Sequence, residues 1–195
     1  MVNTYFRLSE RKKLIETADI RLVSPNYAMK NIETLSLPAE VQSAFDLDWD
    51  TVVFDVGGDW AGATALGRYK ADFDALSEGL EVLNVINVRR PMSGTPEKII
   101  SLMREIEEKS RLKITGLINN SNLAHLTTAD DLRDGYNIIK SVSMSMGVPV
   151  RFTTGKPEIL NEFLSENLDG AFTGEPLHIQ TYMHRDWDSY TKFGI

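Results

Sequence analysis

The sequence predicts one α/β domain, an open, mostly parallel sheet with helices on both faces. Three observations predict it. Short β-branched apolar runs without polar alternation recur along the chain, as strands buried on both faces require. Longer segments with apolar residues at helical spacing lie between them. Strand–helix–strand order of this kind implies parallel strands joined by right-handed crossovers. With 195 residues and 42% hydrophobic composition, residues 1–195 form one domain with a full core.

In chain order, Leu8 to Ala18 reads as a helix with Ser9 as its cap, and Ile20 to Ser24 as a short strand ended by Pro25. Residues 26–38 are loop-like, and Ala39 to Phe45 is a short helix. Thr51 to Asp55 (TVVFD) is the first buried strand, followed at once by Gly57 and Gly58. Ala61 to Leu76 is helical, weakened by Gly62 and Gly67. Glu81 to Val88 is the second buried strand. Thr95 then caps a helix with Pro96 at its first position. Lys113 to Asn119 is the third strand, and Thr127 caps the next helix, whose Asp130 and Asp131 suit its positive end. Gly147 stands where a left-handed stop belongs. Val148 to Thr153 is the last strand, Pro157 opens a helix to about Asn167, and residues 177–195 form an irregular tail.

Composition removes several function classes. The net charge is −7, with 28 acidic against 21 basic residues, so no nucleic-acid partner is expected. Without cysteine, disulfides, iron–sulfur clusters and thiolate zinc sites are excluded for this chain. Three histidines are scattered, and His178 and His184 lack an evident third metal ligand. No apolar run reaches the roughly 18 residues that span a bilayer. No membrane is expected, and the expected location is cytoplasmic.

Right-handed crossovers put every strand's C-terminal end on one rim, where ligands of such sheets bind. After the first buried strand stand Asp55, Val56, Gly57, Gly58 and Asp59. A carboxylate there can hold magnesium through water, and the glycines permit close backbone approach. The same residues also make an ordinary capped turn. Arg89 and Arg90 can meet phosphate or be solvated loop charges. Asn119 and Asn120, followed by Ser121 and Asn122, can read adenine as donor and acceptor or satisfy their own loop. Thr154, Gly155 and Lys156 lead into a helix that can receive an anion or simply turn the chain.

Taken in order, TVVFDVGGD, NVINVRRP, ITGLINN and VPVRFTTGKPE, with VNTYFR near the start, resemble the MinD/ParA-like (CobQ/CobB/MinD/ParA) P-loop ATPases over roughly Val2 to Leu168. The resemblance implies a P-loop NTPase-like fold that uses ATP and Mg. Asp55 would be the Walker B carboxylate, holding magnesium through water. Gly57 and Gly58 would sense the γ-phosphate, Asn119 or else Asn120 would read adenine, and Pro149 and Thr154 would lie in the segment closing over the base. The family's partners would be an adenine nucleotide and a homodimer or protein client.

One departure is large. No G-x-x-x-x-G-K-[ST] occurs in the chain, and Thr154-Gly155-Lys156-Pro157 is no substitute. The expected first strand, Walker A loop and first helix of the family are missing ahead of VNTYFR. That loop supplies the backbone N–H groups and lysine that neutralise the β- and γ-phosphates. The chain is therefore expected to be inactive by itself. It is expected to be a shortened switch ATPase or, alternatively, a degenerate, non-enzymatic interaction module. A dinucleotide oxidoreductase lacks its G-x-G-x-x-G. The tail lacks the basic, leucine-rich membrane helix of MinD proper.

Overall fold

A computed structural model describes residues 11–23, 39–76 and 79–182. Its elements in chain order are α1 (Lys12–Thr17), a 3-10 turn (Ala39–Gln42), α2 (Ser43–Asp46), α3 (Trp60–Leu66), a 3-10 turn (Gly67–Tyr69) and α4 (Lys70–Ala75). Then follow β1 (Leu83–Ile86), α5 (Pro96–Ser110), β2 (Gly116–Asn119), α6 (Ala129–Met146), β3 (Val150–Gly155), α7 (Pro157–Leu164) and β4 (Glu175–His178). The expectations for Leu8, Ser9, residues 24–38 and His184 fall at least partly outside the described residues.

The helix boundaries follow local chemistry. Thr95 accepts from the Lys98 N–H at the head of α5, and Pro96 needs no acceptor there. Thr128, not Thr127, caps α6, sharing a capping box with Asp131. Thr127 instead closes the preceding loop, accepting from the Leu123 N–H. Gly147 ends α6 at φ 66°, a conformation that costs glycine little. The expected helix over residues 61–76 is broken into α3, the 3-10 turn and α4. At the break, Gly67 packs so closely on the carbonyls of Lys109 and Ser110 that no Cβ would fit.

All strand pairings are parallel, in the order β1-β2-β3-β4. The register skips Arg151 between the Leu117–Val150 and Ile118–Phe152 pairs, a bulge that shifts β3 against β2. Ile86, Leu117 and Val150 on one face meet Ile99 and Met103 of α5 and Ile139 and Val142 of α6. A second cluster joins α6 to α7 through Leu132, Tyr136, Leu160 and Phe163.

Four expectations need correction. The sheet adds each strand on the same side of the last, so every right-handed crossover lands on one face. The described helices α5, α6 and α7 form that layer, with α3 set against α5. A second helical layer is not found among the described residues. Thr51 to Asp55 is not a strand, and Val53 is 85% exposed. What holds the segment is Phe54, stacked on Phe45 and edge-on to Phe73 at 5.5 and 5.3 Å between ring centres. Ile20 to Val23 is not a strand either. Conversely, Leu177 and His178, expected in an irregular tail, belong to β4, beside β3. Pro176 obscured that strand, but an edge strand tolerates proline.

Candidate functional site

The C-terminal ends of β1, β2 and β3 lie side by side, as a parallel sheet requires, and carry a stitched polar rim. Asn87, just past β1, donates through Nδ2 to the Asn122 carbonyl at 3.0 Å. Its Oδ1 accepts from the Asn122 N–H at 3.2 Å. Asn122 in turn donates to the Asn120 carbonyl at 2.7 Å. The Thr154 hydroxyl, from the end of β3, donates to Asn120 Oδ1 at 2.6 Å. These bonds fix the loop after β2 to both neighbouring strands.

Asn119 faces the helices instead. It is 1% exposed, its Nδ2 donates to the Leu132 carbonyl at 3.0 Å, and its Oδ1 accepts from the Ser121 N–H at 3.2 Å. Gly135 lies so close that a Cβ would collide with Asn119 Oδ1 and Ser121 Oγ. The amide expected to read adenine thus ties β2 to α6. Asn120, half-buried and on the rim, is the more accessible amide, and its Oδ1 already accepts from Thr154.

Arg89, weighed above as a phosphate contact, is also engaged. Its Nε donates to Asp131 at 2.6 Å and its second guanidinium nitrogen to Asp134 at 2.7 Å. Burial works against the charge on Asp131, but the Thr128 N–H and Arg89 outweigh it and hold its carboxyl below the usual range. The two carboxylates raise the pKa of Arg89 and keep it charged. Arg90, the other candidate, is exposed.

Pro149 lies apart from this rim. It is exposed and precedes β3, and its carbonyl accepts from the Leu117 N–H. About five residues of strand, roughly 16 Å at 3.3 Å each, separate it from Thr154. It therefore sits at the opposite end of the sheet from Asn120 and Thr154.

Asp55, Gly57 and Gly58 are exposed and belong to the segment ahead of α3, not to a strand end. The Gly57 carbonyl lies tight against Gly62 of α3. Asp59 then caps α3, accepting from the Gly62 N–H at 2.9 Å. Magnesium demands near-octahedral oxygen ligands and commonly takes one or two carboxylates together with phosphates. No group of three or more His, Asp or Glu is placed to hold a metal ion among the described residues. Asp55 offers a single carboxylate, so the described residues do not by themselves make a resident magnesium site.

A pocket of about 60 Å³ opens beside the rim, lined in part by Asn122, Thr154, Lys156, Ile159, Gln180 and Thr181. The last two follow β4 and escaped sequence reasoning, because nothing in LHIQT marks a strand end. Sites for drug-sized ligands run roughly 300–1,000 Å³, so this pocket encloses only part of such a molecule. No described helix is long and apolar enough to cross a membrane. No family model, no curated protein and no solved structure matches the chain.

Proposed function

We propose that this chain is an adenine-nucleotide-binding domain of the MinD/ParA-like switch type, which binds at the strand-end rim and does not hydrolyse ATP by itself. The observation that carries it is the Asn120–Thr154 pair on adjacent parallel strand ends, beside an open pocket. Open α/β sheets bind ligands at such ends. An amide offers adenine a donor and an acceptor together. The base would lie across the rim against Asn120 and Thr154, with the pocket taking one substituent. Nothing described supplies the lysine-bearing loop that neutralises β- and γ-phosphates, so catalysis is not assigned to any residue. Fold likeness alone carries no function; the reading rests on these strand-end groups and on the sequence resemblance.

Calorimetric titration with adenosine, ATP and guanosine tests it. Adenosine should bind weakly through the base contacts, and ATP at least as well. Guanosine should bind less well, and Thr154→Val should weaken both adenine ligands. Equal binding of guanosine, or none by adenosine, would overturn the reading. Phosphate release from ATP by this chain would overturn its inactivity.

A second reading has its own observation. Val52, Val53 and Val56 are 42%, 85% and 37% exposed in one short apolar segment. Such a run suits an interaction module whose partner pairs with it.

A further inference from the structure

We infer that the pocket between β3, the start of α7 and the residues after β4 is a binding site for a phosphate group, whether free or carried on a larger molecule. This goes beyond the adenine reading, since it requires no base. None of the residues lining the pocket is acidic, although the chain holds 28 Asp and Glu. Lys156 lines it half-buried, and among the described residues its ammonium has neither an ion pair nor a hydrogen bond. Gln180 and Thr181, both exposed, also line it, and their side chains have no hydrogen bond among the described residues. By contrast the Thr154 and Thr127 hydroxyls, also in the lining, already donate elsewhere. The lining therefore holds unspent donors beside spent ones. The first-turn N–H groups of α7, Ile159 among them, add an end of positive partial charge. A volume of about 60 Å³ suits a tetrahedral oxyanion and excludes a purine ring from full entry.

The test is an amide-resolved NMR titration of the intact chain with inorganic phosphate at constant ionic strength. Saturable shifts should centre on Lys156, Ile159 and Gln180. Lys156→Ala should weaken binding about tenfold, the loss of one charge-assisted contact. Lys156→Gln should do the same if the alanine variant folds poorly. Lys113→Ala, at a lysine paired with Glu107 away from the pocket, should leave binding unchanged. Shifts spread evenly over surface lysines, or unaltered by either Lys156 variant, would overturn the site. A parallel arm with adenosine reads the base contacts alone. Phosphate binding without adenosine binding supports this site and sinks the adenine proposal, and adenosine binding without phosphate binding does the reverse.

Discussion

Asp131 holds three jobs with one carboxylate. It closes the capping box of α6 by accepting from the Thr128 N–H at 2.8 Å, accepts from the Thr128 hydroxyl, and receives Arg89 from the β1 loop. All three contacts favour the ionised form, which is why its carboxyl stays acidic although buried. A group whose folded pKa is depressed stabilises above its unfolded value, about 3.9 for aspartate, and that stability is lost as pH falls through the folded value. Asp131→Asn should therefore cost about 1–2 kcal/mol at pH 7, the size of a lost cap and charged hydrogen bond. The gap to wild type should close below pH ~4 as the native carboxyl protonates. Urea denaturation at pH 7 and pH 3 measures it. A gap that persists unchanged at pH 3 would mean that the charge is not what stabilises.

At the scale of elements, the join between β2 and α6 decides the shape of the rim. Gly135 lets the helix approach until Asn119 and Ser121 fill the space a side chain would take. Gly135→Ala sets two effects against each other. Alanine gains about 1 kcal/mol in helix propensity. Overpacking costs about 1–3 kcal/mol, and displacing Asn119 from the Leu132 carbonyl costs about 1 more. The variant should be less stable by about 1–3 kcal/mol, seen as a lower denaturation midpoint at unchanged slope. Greater stability than wild type would refute the close approach. This join also marks how far the sequence could be read. Thr95-Pro96 and Gly147 announced the ends of α5 and α6, because caps are local chemistry. The parallel strands over residues 83–86, 116–119 and 150–155 were legible from their apolar runs. The burial of Asn119 was not, since it depends on a glycine in another element. Asn120 and Thr154 lie on adjacent strand ends, whereas Pro149, carried over by resemblance, lies at the opposite end of the sheet.

The whole molecule divides its stability unevenly. One core joins β1, β2 and β3 to α5 and α6. A smaller aromatic group of Phe45, Phe54, Tyr69 and Phe73 gathers α2, α4 and the segment before α3. Residues 51–57 touch that group through Phe54 but belong to no strand. The sequence could not reveal this: TVVFD has every local mark of a buried strand, and pairing is settled by what lies beside it, not by what lies within it. Regions with few buried contacts and no ladder open at low free-energy cost. Hydrogen exchange should accordingly be slowest at residues 116–119, flanked by strands on both sides. It should be faster by orders of magnitude at residues 51–57, and Phe54→Ala should leave the slow set unchanged. The same measurement separates the two functional readings. A partner that pairs with the valine-rich segment should slow exchange at residues 51–57, whereas adenosine on the rim should slow it at residues 120–122 and 154–156. Exchange at residues 51–57 as slow as in β2, with nothing added, would show the segment already paired and remove the reason to seek a partner there.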